Sequence, residues 1–360
     1  MKFASEFRDP ALVGTIAANI RKASKGRWTL MEFCGTHTMA IFRHGLRSLL
    51  PDNLTLVSGP GCPVCVTPKS DIDKVLFLSD MPSGIVATYG DLMKVPGSTM
   101  NLAEKRARGG DVRVVYSIYD ALDLAVSMPE KKVFFAGIGF ETTAPSTAAA
   151  VMRAAKSDVR NFFVLSLHKR TPPVLDALLK RGSRVHGFIC PGHVCAIIGA
   201  KPFEPVASSW RKPCVIAGFE PGDVLQAILM LVSQLEEGKS EVEVEYLRGV
   251  PYAGNPNALR AMEEVFTVSD SEWRGLGKVA GTGLSLRDGF SRFDASRFID
   301  SSITSLPDPP GCKCGDILRG DMTPPQCPLF RRVCTPENPV GPCMVSSEGS
   351  CATYYIYGNV

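Results

Sequence analysis

The end of this 360-residue chain has little from which to build a core. Past Ser305 it is dominated by Pro, Gly and Cys with little periodicity, and six of the twelve cysteines lie there: Cys312, Cys314, Cys327, Cys334, Cys343 and Cys351. Such a segment cannot fold around an apolar interior of its own and depends on a metal centre. Three more cysteines stand near the front in two Gly-rich motifs, Cys34 in FCGTHT and Cys62 and Cys65 in GPGCPVC. The split implies two thiol sites, one built to hold a metal centre and one built to react, and so redox or metal chemistry.

The rest of the chain is ordinary for a globular protein, with 45% apolar and 21% charged residues, and is long enough for two or three domains. A net charge of +4 is too small over this length to imply a nucleic-acid or membrane partner. No apolar run reaches the roughly 18 residues needed to span a bilayer; the longest, Val224 to Leu235, is broken by Gln226 and Ser233 and reads as a core helix. The start, MKFASEFRDPAL, has no hydrophobic signal core, so the expected compartment is the cytoplasm. There, cysteines serve as metal ligands or reactive thiols rather than as a disulfide framework.

Up to Pro221, short apolar runs alternate with amphipathic stretches. Strands are predicted at 28–33, 54–58, 84–88, 112–116, 133–138, 162–167, 187–190 and 215–217. Helices are predicted between them, at 38–50, 71–78, 101–108, 119–126, 146–155, 172–180 and 194–200. This rhythm is that of an α/β fold with parallel sheets covered by helices. A division near residues 128–132 gives two similar halves, 28–128 and 129–220. An internal echo supports it: strands run into PGCPVC and PGHVC, and Gly-Phe-Glu occurs at 139–141 and 218–220. After Pro221 the rhythm changes to a long helix at 223–236, a polar stretch and a helix at 257–266.

The two front motifs follow strands, and in open parallel sheets ligands bind beyond the carboxyl ends of strands. Both therefore point into one crevice. Their glycines let backbone N–H groups approach a bound species and favour thiolates. Cys62 and Cys65 are suited to close a disulfide or to share one soft metal ion. His37, three residues after Cys34, is suited to carry protons or to hold the thiolate as an ion pair. Thr38 is placed to cap the helix that follows, as is Ser70 or Asp71 for the next.

In the second half, Glu141-Thr142-Thr143 and His193 stand at further strand ends. Glu141 and His193 are candidates for the crevice; Thr143 serves it or caps the next helix, and His193 has a purely structural role as its alternative. Asp91 either orients a crevice residue or caps a turn. Cys190, Cys195 and Cys214 read as buried thiols, and His44, His168 and His186 as structural. In the tail, Cys314, Cys327, Cys334 and Cys351 are separated by twelve, six and sixteen residues. Four thiolates suit an iron–sulfur cluster or structural zinc. Zinc sites usually show two short knuckles, and only Cys312-Lys313-Cys314 is close, so softness and spacing favour [4Fe–4S].

Taken together, FCGTHTMAIFRHG, SGPGCPVCVTP, GFETTAP, CPGHVCAIIG and the tail GCKCGDILRG…CPLFRRVCTP…PVGPCMVSSEGSCATYY resemble the HypD family of hydrogenase maturation factors across nearly the whole chain. The resemblance implies two similar α/β domains facing a cleft, 28–128 and 129–220. It also implies a mainly helical and irregular iron–sulfur domain, 221–360 with an N-terminal helix in 1–27. It implies work with a small partner, HypC, on the scaffold where the iron of [NiFe] hydrogenases acquires cyanide and carbonyl ligands, with cyanide delivered transiently by HypE, the chain being otherwise monomeric. On this sequence Cys34, Cys62 and Cys65 would handle the iron, and Cys314, Cys327, Cys334 and Cys351 would ligate the cluster, leaving out Cys312 and Cys343. Two other readings compete: a stand-alone iron–sulfur thiol–disulfide oxidoreductase similar to ferredoxin–thioredoxin reductase, and a zinc-stabilised interaction protein.

Overall fold

The computed structural model describes residues 5–300 and 303–358. All eight expected strands form: β1 (Trp28–Glu32), β2 (Leu54–Ser58), β3 (Gly84–Thr88), β4 (Val112–Val114), β5 (Lys132–Gly139), β6 (Phe162–His168), β7 (Gly187–Pro191) and β8 (Cys214–Ala217). Three more follow: β9 (Val242–Val244), β10 (Phe266–Trp273) and β11 (Gly277–Leu286).

The strands do not group as the division near residues 128–132 expects. One parallel sheet has the order β2-β1-β7-β8-β9 and the other β4-β3-β5-β6, so the chain leaves the first sheet after β2, builds the second, and returns at β7. Local pattern sets where strands form, but not which strands pair. Both sheets begin with a strand flanked by its successor and by a later strand, the reversal of order that opens a crevice at the carboxyl edge. The sequence echo is not a structural repeat: PGCPVC follows β2 and PGHVC follows β7, which flank β1 in a single sheet.

Side chains alternate across each sheet, as the two-residue period of a strand requires. Leu30, Ile189 and Val215 face outward onto Ile16 and Ile20 of the helix Pro10–Ala23 and onto Val224, Ile228 and Leu231 of the helix Pro221–Glu236. Val133, Phe135, Phe162 and Val164 face outward from the second sheet, onto Ala121 and Leu122 and onto Ala148 and Val151 of its covering helices. The opposite faces share one core, where Met31, Phe188 and Ile216 join Phe134, Ile138, Phe163 and Leu165.

The residues expected to form a separate third unit are distributed instead. The helices Pro10–Ala23 and Pro221–Glu236 cover the first sheet, and β9 extends that sheet's edge beside β8. β10 and β11 form an antiparallel hairpin, tied to the second sheet's end by a bridge between Lys169 and Gly283. The tail has no core of its own: Cys314, Ile317, Leu318, Phe330, Cys334, Cys343 and Cys351 enter the core between the sheets. Among the described residues no helix is long and apolar enough to cross a membrane.

Phe134 stacks on Phe163 at 5.5 Å in this shared core and is 1% exposed. Phe134→Ala is expected to cost about 3–5 kcal/mol of stability, read from a urea transition; a loss below about 1 kcal/mol would contradict a single close-packed interior.

Candidate functional site

Cys34 is the N-cap of the helix Gly35–Arg43 that follows β1, and Cys62 is the N-cap of the short helix Pro63–Val66 that follows β2. Because Glu32 lies opposite Ser58 in the parallel pair, the two loops leave the sheet side by side. The Gly59 N–H donates to the Glu32 carbonyl (2.9 Å) and the Gly35 N–H to the Gly61 carbonyl (3.1 Å). A Cβ on Gly61 would stand 2.3 Å from the Cys34 nitrogen, so only glycine permits this approach. Cys62 and Cys65 are joined as a disulfide with Cα atoms 5.2 Å apart. Sequence distance between Cys34 and this pair is thereby closed.

Thr38 does not cap its helix. It lies one turn inside, and its hydroxyl donates to Glu32. The Glu32 carboxylate also accepts the Cys34 N–H (3.2 Å) and is fully buried; burial raises it to about 7 against those hydrogen bonds. Cys34 itself is 8% exposed. Burial and the nearby Glu348 carboxylate push its thiol up to about 12, opposed by the backbone N–H groups of His37 and Thr36. Glu348 accepts the Thr36 hydroxyl at 2.6 Å and packs against Gly35. Neither Glu32 nor Glu348 is found by the sequence reasoning. The first is betrayed only by a carboxylate in an otherwise apolar strand, and the second only by tertiary contact.

His37 is fully buried. Its Nε2–H donates to the Gly218 carbonyl (2.9 Å), which fixes the tautomer and leaves Nδ1 without a partner. Burial lowers it to about 4, so at neutral pH the ring is not an imidazolium and does not hold the Cys34 thiolate as an ion pair. Phe219 lies between His37 (4.8 Å) and His193 (3.8 Å), all three rings roughly parallel. His193 thus stands at the exposed end of a stack whose inner end is His37.

Glu141 is buried and accepts both the Thr171 N–H (2.7 Å) and the Thr171 hydroxyl (2.8 Å), which ties it to the start of the helix Thr171–Lys180. Burial raises the Cys195 thiol, and Glu141, Cys214 and Cys34 add to the effect. Thr143 stands at the N-cap of the helix Ala144–Lys156, but its hydroxyl donates back to the Ile138 carbonyl (3.1 Å) and makes no capping bond. Pro68, rather than Ser70 or Asp71, stands at the N-cap of the helix Lys69–Ser79, and Asp91 is exposed. A groove of about 1350 Å³ runs past Glu141, Arg170, Ile198 and Trp210 and is lined by no cysteine.

The tail brings its sulfurs to the same loops. Pro342–Met344 packs on Pro63–Val66, and the Tyr354 ring of the helix Ser350–Tyr357 lies tilted against Phe42 at 4.3 Å. The Cys314 thiol is raised well above its ordinary value, with Cys312 and Cys343 raising it and Cys351 opposing them. The Cys351 thiol is raised by Cys314 and burial, with further effects from Cys334 and Cys327. The other three cysteines expected as ligands, Cys314, Cys334 and Cys327, thus act on Cys351, and Cys312 and Cys343, left out of that set, act on Cys314. Among the described residues no three His, Cys, Asp or Glu side chains stand at metal-holding geometry. The donor set nonetheless fits a soft metal centre. A Cβ on Gly341 would lie 2.5 Å from the Cys314 sulfur and 2.8 Å from that of Cys312, so the glycine keeps space beside the thiols.

With Cys34 held as a thiol, its alkylation by iodoacetamide is expected to rise about tenfold per pH unit between pH 7 and 9, followed by peptide mass spectrometry. Glu348→Gln removes the adjacent negative charge and is expected to accelerate the reaction at any one pH. A plateau below pH 9, or a slower Glu348→Gln protein, would contradict this electrostatic picture.

A family model described as HypD, Hydrogenase formation hypA family, matches residues 11–358. The hydrogenase maturation factor HypD of Cupriavidus necator is 47% identical, over 99% of this chain and 97% of that protein. Hydrogenase maturation factor HypD2 of Bradyrhizobium diazoefficiens is 46% identical over the same shares. The hydrogenase expression/formation protein HupD of Azotobacter chroococcum is also 46% identical, over 99% of this chain and 97% of that protein. A match over nearly the whole length, carried by a chain whose front and tail cysteine-bearing segments meet, places it: the chain belongs to the HypD family of hydrogenase maturation factors.

Proposed function

We propose that this chain is the scaffold on which the iron centre of [NiFe] hydrogenases receives its cyanide and carbonyl ligands, in complex with a small partner, HypC, and with HypE as transient cyanide donor. The observation that supports the reading is that the loops carrying Cys34 and the Cys62–Cys65 pair leave the first sheet bonded side by side, with the turn that carries Cys343 packed on the second of them.

Iron carrying cyanide and carbonyl is low-spin and ferrous, and thiolates are soft donors suited to hold it. Cys34 is the iron ligand from this chain. Its thiol is protonated when free, so iron capture releases a proton; His37, held neutral by burial, does not retain it. The N–H groups of Thr36 and His37 then steady the thiolate. Reduction of Cys62–Cys65 takes up two electrons and two protons and frees two further soft donors beside Cys34. Glu141 and His193 shape the surroundings of the site, one from the second sheet and one from the end of the aromatic stack. In the tail, Cys314, Cys327, Cys334 and Cys351 would hold a [4Fe–4S] cluster, which supplies one-electron redox chemistry when bound.

The disulfide beside a thiol-rich tail also suits a stand-alone thiol–disulfide oxidoreductase. Infrared spectroscopy of the anaerobically purified chain with HypC separates the two. The scaffold is expected to show cyanide and carbonyl bands, and Cys34→Ala to abolish them while the tail's visible absorption persists. Bands that survive Cys34→Ala, loss of both signals together, or turnover of a disulfide by the chain alone without such bands would overturn the proposal.

A further inference from the structure

The turn between β10 and β11 belongs to none of the motifs, yet it is wedged between the two thiol regions. The Arg274 N–H donates to the Val66 carbonyl (2.9 Å) and its Nε–H to the Thr67 carbonyl (3.2 Å), directly after the Cys62–Cys65 loop. On the other side a Cβ on Gly275 would meet the Gly315 Cα at 2.3 Å, next to Cys314, and the Gly275 carbonyl accepts from Arg319 (2.6 Å). Between these anchors the Arg274 side chain is 2% exposed. Nη1 pairs with Asp308 at 2.7 Å, and Nη2 is buried without any partner.

A buried guanidinium with an unused donor calls for an anion. Asp308 meets one side of it, and the tail cysteines are the nearby groups that become anionic when they hold a metal. Gly275 of the same turn lies against Gly315, the residue after Cys314, so the turn that carries the guanidinium stands beside the tail cysteine segment.

We propose that Arg274 is a positioning residue for the tail cysteine centre, its charge and its free Nη2 donor favouring the reduced, more negative state of that centre beside the Cys62–Cys65 loop. The proposal rests on the reading of the tail as an iron–sulfur site. Adding one electron to a loaded centre adds one negative charge and breaks no bond, so a fixed positive charge nearby stabilises the product over the reactant. Asp308, 46% exposed, offsets part of that charge.

The test is an anaerobic redox titration of the cluster-loaded full chain with dithionite, followed by electron paramagnetic resonance, with iron and sulfide content measured in parallel. Arg274→Gln is expected to move the oxidised-to-reduced ratio about tenfold toward oxidised at a fixed potential, a midpoint about 59 mV lower for a one-electron couple. Arg274→Lys keeps the charge and is expected to shift it less. Asp308→Asn removes the offsetting carboxylate, and the midpoint is expected to rise. Full cluster content with an unmoved midpoint in Arg274→Gln would overturn the proposal alone. Should that variant not fold, an unmoved midpoint in Asp308→Asn would do so. A wild-type chain that takes up no cluster would overturn the reading of the tail, and this proposal with it.

Discussion

The parallel pairing of β1 with β2 on one side and β7 on the other is what the site depends on. Trp28 to Glu32 run in register with Leu54 to Ser58, and Leu30 to Glu32 with Gly187 to Ile189. Three loops therefore leave the same edge together, carrying Cys34, Cys62–Cys65 and His193. Glycine makes the closeness possible: Gly61 lets its loop touch the Cys34 backbone, and a Cβ on Gly187 would already press on Pro213, Leu231 and Leu30 at 3.2–3.3 Å. A one-residue slip of β1 would turn Leu30 and Met31 to the wrong faces of the sheet, so burial of the two cores enforces the register that aligns the thiols.

The tail is held by what it touches. Arg47 lies over both Phe42 and Tyr354, at 4.7 and 5.3 Å, which clamps the helix carrying Cys351 to the helix headed by Cys34. Arg331 closes that tail helix by donating to the carbonyls of Tyr355 (3.0 Å) and Gly358 (2.9 Å). Glu348 joins the same contact through Thr36. The tail segment and the front site are thus mechanically linked, since whatever orders the tail also orders the groups around Cys34.

Much of this was legible in the sequence, for definite reasons. Strands of apolar residues ending in Gly-rich loops state their position locally, and the eight strands of the α/β part lie within two or three residues of where the pattern puts them. His168, bonded to Thr147 and Ser166, and His186, accepting the Thr29 N–H, are structural, as read. The partition of strands between sheets was not legible, because β1 carries no local mark that its second neighbour lies some 155 residues later. The hairpin β10–β11 was missed because half of β10 is exposed, so its apolar pattern is faint. Arg274 and Glu348 were missed with it: a lone arginine in a turn and a lone glutamate in a tail acquire meaning only from what they are packed against.

The most direct measurement of the account is a cross-link. In a Cys65→Ser chain reduced under anaerobic conditions, dibromobimane, which fluoresces when both its arms have reacted with neighbouring thiols, is expected to join Cys34 to Cys62, identified by peptide mass spectrometry. Labelling of each thiol singly, with no joined peptide, would show that these loops do not meet and would contradict the arrangement from which the chemistry is built.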